Sequence, residues 1–463
     1  MRGRGTRRGR KGGAVLAGVL AASLVAAACG SGTGSSKAQG STTTAAPGTT
    51  ASAPISKTLG TGVTAKTIKI GVALINYDVV KQYIHNTDGN QEQTYNVFIN
   101  DINKHGGVDG RQLVPVYYTY APVPGLADGP ETACTSLTED SKVFATIGVL
   151  YDATGAAQLC FTNQHHSILI THELTQAVIS KATPGLMLTV SATPEADTAV
   201  LLTLLKKYDT LKGKTVAALG ETANQSDVTS TIVPGLKSLG IKTGTTAILS
   251  ISTEDTTAAQ NQLDSFIQRW KTEGVNAVFL SGDDLVATQF VEKLKKELPG
   301  VVLLTDSAAS AQHNASSLKS PNPYDGMITA EGYSTQGQFE LPSFQACAKT
   351  YQDAIGQKVI APDDLKAGPD GNKVEVYDAM EVACEDFTFF KYVADKVGKY
   401  LDNQNWINTI NNLGDIDNVI PGTHYASIHT GKYDADDDSG LASFDEKIED
   451  FKLTTPVVNA RSS

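Results

Sequence analysis

The sequence predicts an α/β protein of two doubly wound parallel-sheet lobes behind an export leader. Three observations predict it. Strands alternate with helices from Ala65 onward, the alternation starts afresh near Thr193, and several strands are continuous apolar runs, as parallel strands covered on both faces require. The 463 residues allow two or three domains at the usual ~100–200 residues each. A hydrophobic share of 41% supplies real cores and excludes wholesale disorder.

The leader comes first. Arg2, Arg4, Arg7, Arg8, Arg10 and Lys11 precede the uncharged run Ala14–Ala28, and no acid lies among these 28 residues. A helix over that run spans roughly 22 Å, short of a ~30 Å hydrocarbon core, so it reads as the apolar core of a signal peptide over 1–28. Without those six, 32 of the 38 basic residues remain against 49 acids, a balance of −17. Such an acidic body is a poor partner for nucleic acid.

Leu24-Val25-Ala26-Ala27-Ala28-Cys29-Gly30 resembles a bacterial lipobox, which predicts a lipidated Cys29 and a protein anchored on the outer face of the cell membrane. Gly30–Thr64 follows, with 29 of its 35 residues Gly, Ser, Thr, Ala or Pro. This composition reads as a flexible tether over 29–64.

The body then opens with the strand Thr67–Leu74. A helix over Asn90–His105 stops at Gly106-Gly107, and a strand follows at Gln112–Tyr118. A helix near Glu131–Asp140, the apolar strand Val143–Leu150, a helix around Cys160 and a strand at Ser167–Thr171 complete the first series. Thr193-Pro194-Glu195 starts the second: a hydroxyl N-cap, Pro at the first helical position and acids in the first turn, with Lys206 and Lys207 at the far end. Strands at Lys214–Gly220, Thr245–Ser252, Val275–Ser281 and Val301–Thr305 alternate with helices. One of these places Ala259, Leu263, Phe266, Ile267 and Trp270 on one face. Long amphipathic segments at Phe339–Ile355 and Val374–Val397, a shorter one at Trp406–Leu413, and a β-like tail from Tyr425 finish the chain.

Beyond Cys29 the sequence has Cys134, Cys160, Cys347 and Cys384, each on a predicted helix. An even number in an exported body favours disulfides. Of three possible connectivities, Cys134–Cys160 with Cys347–Cys384 is the most local. The absence of any CxxC spacing argues against zinc.

Four patterns occur in order: Gly62–Gly71 (GVTAKTIKIG), Ile102–Arg111 (INKHGGVDGR), Val143–Leu150 with its Ile147-Gly148, and Tyr377-Asp378-Ala379. Together they resemble the branched-chain amino-acid-binding family of type I periplasmic binding proteins. The resemblance implies a hinge crossed near Val190, Glu331 and Tyr425. Lobe one would comprise 65–190 and 332–424, lobe two 191–331 and 425–463. It implies a ligand between the lobes, at strand tips and helix N-termini. Its contacts would be Leu150, Tyr151, Asp152, Glu173 and Thr175 from lobe one, and Asn224, Asp283 and Asp306 from lobe two. Where the amino-acid binders offer hydroxyls and N–H groups to an α-carboxylate, this chain has Asp152 and Glu173. Ionised acids repel a carboxylate, so a cationic or hydroxyl-rich ligand is expected. Amino acids, polyamines, polyols and amides are the classes to consider.

The resemblance further implies a monomer without cofactor that serves the permease subunits of an ABC importer. A sensing receptor of the same fold is the alternative, and an extracellular hydrolase a distant one. No GxSxG or GxxxxGK[ST] occurs. His165-His166 with His172-Glu173 does not form HExxH and reads as a surface pair beside a pocket-edge acid. Asp434, Asp436, Asp438 and Asp445 resemble a calcium loop, but Ser439 stands where the turn glycine belongs, so a solvated acidic turn is expected.

Overall fold

The computed structural model describes residues 54–461 except 80–85, 123–127, 153, 173, 223–224, 252–256, 316–317, 367 and 369–372. The leader, Cys29 and most of the tether lie outside the described residues. The first lobe contains strands β1 (Thr67–Ile75), β2 (Gln112–Tyr120), β3 (Ala145–Ile147), β4 (Ile168–Ile170) and β5 (Met187–Leu188), all parallel in the order β2-β1-β3-β4-β5. The second contains β6 (Thr215–Glu221), β7 (Lys242–Thr243), β8 (Ala277–Ser281), β9 (Val302–Thr305) and β10 (Ile328–Glu331), with the equivalent order β7-β6-β8-β9-β10. Two antiparallel strands, β11 (Asp438–Asp445) and β12 (Asp450–Leu453), extend that sheet past β10. The β-like tail is therefore the edge of lobe two, and its sheet is mixed rather than wholly parallel.

Each sheet is covered on both faces, which is why its strands lack the alternation of a half-exposed sheet. Along β1, Ile68, Ile70, Val72 and Leu74 enter one core while Ala73 and Ile75 enter another. Along β8, Val278 and Leu280 face one layer, Ala277 and Phe279 the other. The main core of lobe one takes in helices Gln91–Lys104, Pro342–Ile355, Val376–Val397 and Asn403–Asn411. Phe144, Phe390 and Trp406 form an aromatic cluster within it. The expected helix over Phe339–Ile355 is two, broken where Pro342 starts the second at its first position.

The GGVDGR pattern is a turn clamped by its arginine. Gly107 has φ +73°, and a Cβ there would come within 2.0 Å of the Arg111 carbonyl oxygen. Arg111 is buried and donates to the Asp109 carboxylate at 2.8 Å and to the Thr64 and Lys399 carbonyls at 3.1 and 2.7 Å. The end of the expected tether is also fixed. The Ser56 N–H donates to the Asn405 side chain, the Thr58 hydroxyl to Asp402, and the Gly60 N–H to the Leu401 carbonyl. The segment from Ser56 to Thr64 thus lies along lobe one, because the polar start of helix Asn403–Asn411 supplies partners that composition alone does not reveal.

Both disulfides are the local ones. Cys134–Cys160 joins two short helical segments on the second face of the lobe-one sheet. Cys347–Cys384 ties helix Pro342–Ile355 to Val376–Val397.

Candidate functional site

In a doubly wound sheet the crevice opens where the strand order reverses, outside the carboxyl ends of the strands. Here those points lie between β1 and β3 in lobe one and between β6 and β8 in lobe two. Gly148, just past β3, sits at the first. Its φ is +119°, and a Cβ would come 2.5 Å from the Ala73 carbonyl oxygen. The buried Asp386 carboxylate pairs with His172 at 3.3 Å. His172 Nδ1 is 3.2 Å from the Ser191 hydroxyl, which links the β4 tip to the first hinge crossing.

The expected contacts have different surroundings. The Leu150 side chain is core, and its N–H donates to the Thr171 hydroxyl at 2.9 Å. Tyr151 is held by its N–H to the Tyr120 hydroxyl and leaves its side chain 47% exposed at the strand tip. The Asp152 carboxylate receives the Ala157 N–H at 2.7 Å and both the N–H and hydroxyl of Thr154, and so caps helix Ala156–Leu159. Burial pushes its pKa up, but these donors outweigh burial and hold it below the usual carboxylate range. Thr175 is the N-cap of helix Gln176–Ile179, and its hydroxyl accepts the Val178 N–H. Glu173 and Asn224 lie outside the described residues. Asp283 accepts from the Ser310 hydroxyl at 2.8 Å, and Asp306 from the Gly282 N–H and the Thr198 hydroxyl.

The structure gathers further acids that the sequence reading did not single out. At the lobe-two tips, Glu221 has Asp284, Asp283 and Asp306 as acidic neighbours. Burial first, then these like charges, raise Glu221 to about 7. Asp306 is raised to about 6 by burial. In lobe one, Tyr77 beyond the end of β1 has Asp88, Asp378 and Tyr151 as its titratable neighbours. Burial raises Asp88 to about 6. Asp378, hydrogen-bonded to Glu375, is raised by burial and then by its acidic neighbours to about 9. A position at a strand tip was the available signal for Tyr77 and Glu221. Asp378 belongs to the Tyr377-Asp378-Ala379 pattern itself.

At the hinge, Glu381, Glu385, Asp436 and Asp438 help line a cavity of about 170 Å³, together with Val190, Ser191, Gly332 and Tyr333 from two crossings. The third crossing is later than expected. Ile428, Tyr433 and Ala435 still pack in lobe one, and the chain joins the lobe-two sheet at Asp438, because the Thr189–Asp434 bridge holds it beside the first crossing. The acids here are not a solvated turn. Asp434 is buried, takes two contacts from the Arg461 guanidinium at 2.6 and 3.0 Å, and accepts the Thr193 N–H. Asp437 pairs with Lys432 at 3.2 Å. With Arg461 and Lys432 as partners, these side chains do not resemble a calcium loop. A larger groove, about 750 Å³, runs between helices Gln91–Lys104 and Pro342–Ile355, and no strand tip lines it.

A profile of the periplasmic binding protein family matches residues 86–424. The chain belongs to the periplasmic binding protein family. This periplasmic binding protein has the type I fold and is similar to a solute-binding protein of an ABC transporter from Rhodopseudomonas palustris HaA2, solved with p-hydroxybenzoic acid. The two are 15% identical over 86% of this chain and 98% of that one, with a TM-score of 0.58. It is also similar to a leucine-binding protein from Thermotoga maritima, at 12% identity over 85% and 99% of the two chains and a TM-score of 0.57. A fatty acid ABC transporter substrate-binding protein from Thermomonospora curvata gives 15%, 89%, 97% and 0.55 in the same order. A search of curated proteins finds no match. These are binding proteins rather than enzymes, and their different ligands leave specificity to the side chains of each cleft. Among the described residues, no helix is long and apolar enough to cross a membrane.

Proposed function

We propose that this periplasmic binding protein is the capture subunit of an ABC importer. It is held at the outer face of the cell membrane by a lipidated Cys29, and it closes as a monomer on a small polar ligand between its lobes. The ligand carries a positive charge: a polyamine, a basic amino acid or a comparable amine. One observation carries this reading. Two helix N-termini at the lobe-one tips, where an anionic group would bind, already hold protein carboxylates. Asp152 caps Ala156–Leu159, and Glu195 takes the Gln176 and Ala177 N–H groups. What remains at the tips is acidic and phenolic: Glu221, Asp284 and Asp306 on one side, Tyr77, Asp88, Tyr151 and Asp378 on the other. Ammonium groups are attracted both to such carboxylates and to tyrosine faces.

Closure follows if the cation adds contacts to both lobes at once, available only in the closed state. The test is calorimetry of the purified protein against polyamines, basic amino acids, polyols, amides, aliphatic amino acids and aromatic acids. Tight binding within the amine group supports the proposal. Tight binding of a carboxylate without an amine refutes the ligand class.

A further inference from the structure

The segments around Cys134 and Cys160 share a feature separate from the cleft. Each contains a π turn, Ser136–Asp140 after Cys134 and Cys160–Gln164 beginning at Cys160. The wider turn brings residues five apart onto one side, and such turns recur at functional positions. In the second, the His165 backbone N–H donates to the Cys160 carbonyl at 3.2 Å. Ligand atoms of Cys134, Cys160 and His165 lie within 4.8 Å of one another. Glu139, five residues after Cys134, reaches His165 Nε2 at 3.5 Å.

We propose that this cluster is a redox-gated zinc site, a disulfide when oxidised and a Cys134–Cys160–His165–Glu139 tetrahedral cage when reduced. Two thiolates, one imidazole and one carboxylate are a donor set that zinc accepts. A dithiol reductant opens the site. Its two sulfurs become a disulfide, the Cys134–Cys160 bond takes up the two electrons and two protons, and two thiols result. Zn²⁺ then displaces both thiol protons to solvent and takes a neutral imidazole nitrogen and a carboxylate oxygen. Tetrahedral coordination at ~2.3 Å per sulfur needs the sulfurs roughly 3.7 Å apart. The Cα atoms are 6.3 Å apart, which leaves room for that separation by side-chain rotation. His165 and Glu139, with side chains 21% and 60% exposed, give the metal a route from solvent, while Cys134 is buried. The sequence hid the cluster because its ligands come from two segments with no CxxC spacing.

The experiment is an anaerobic titration of the dithiol-reduced protein with Co²⁺, followed by displacement with Zn²⁺, alongside the oxidised protein. The reduced protein is expected to bind one Co²⁺ with the thiolate charge-transfer and d–d bands of a tetrahedral site, and Zn²⁺ to bleach them. Binding should be at least about tenfold weaker in the oxidised protein and in reduced His165→Ala, and measurably weaker in Glu139→Ala. Both variants change exposed or half-buried groups, and unchanged melting of their oxidised forms verifies the fold. Equal affinity of the reduced and oxidised proteins overturns the proposal. So does binding that His165→Ala leaves untouched, which would place the metal elsewhere, including at the Cys347 and Cys384 thiols.

Discussion

The Glu195 carboxylate lies across the start of helix Gln176–Ile179, 3.0 Å from the Gln176 nitrogen and 3.3 Å from that of Ala177. Glu195 belongs to the first helix of lobe two, so a side chain of one lobe caps a helix of the other beside the first crossing. Replacing it with Gln removes the charge that complements the helix dipole and should cost about 0.5–1 kcal/mol, read by denaturant unfolding. It also takes the competing negative charge off an anion site. The Glu195→Gln protein should gain affinity for carboxylate ligands that the parent ignores, and calorimetry with simple carboxylates checks this.

Glu221 at the lobe-two tips is raised to about 7 by burial and then by its acidic neighbours Asp284, Asp283 and Asp306, so near pH 6 it holds a proton that a bound cation would displace. Amine binding near pH 6 should therefore release protons, seen as a dependence of the calorimetric heat on buffer ionisation enthalpy. The Glu221→Gln/Asp284→Asn protein should bind the amine at least about tenfold more weakly and release fewer protons. Unchanged affinity would remove this pair from the site.

Stability should fall as pH rises. Burial lifts Asp197 and Glu221 to about 7 and Asp88, Asp306 and Asp450 to about 6, all above the ~4 of an unfolded carboxyl. The folded state then binds more protons than the unfolded one between about pH 4 and 7. The stabilisation is present below that window and lost as pH climbs through it. Ligand-free protein should melt at a lower temperature at pH 8 than at pH 5 in matched ionic strength. The opposite order would contradict the buried, protonated state of these acids.

Arg461 joins the end of the described chain to the hinge through Asp434, with Asp437 3.6 Å from its Nε. Arg461→Ala leaves the buried Asp434 without its cation, a loss of about 3–5 kcal/mol. The double change Arg461→Met/Asp434→Asn should recover part of that loss, because the uncompensated charge goes with its partner. Urea denaturation of both variants measures the difference.

The fold was legible where burial writes a pattern. Val143–Leu150 and Val275–Ser281 are apolar because packed layers cover their sheets on both faces, and Thr193-Pro194-Glu195 carries its own start signal. The site was less legible, because strand-tip residues are placed by where the chain returns rather than by periodicity. Asp152 was visible as an acid at a tip, but not that Thr154 and Ala157 engage it. Glu195 was visible as a first-turn acid of its own helix, while its service to Gln176 depends on how the lobes meet. Asp434 to Asp438 read as solvated because nothing in the local sequence points to Arg461 as partner.

The most direct test of the account is energy transfer between dyes on lobe one and lobe two, attached at exposed Lys181 and exposed Lys296, titrated with the amine that calorimetry identifies. The account predicts a saturable shortening of the distance with the calorimetric midpoint, abolished in Glu221→Gln/Asp284→Asn. Saturating amine that leaves the distance unchanged would contradict capture by closure.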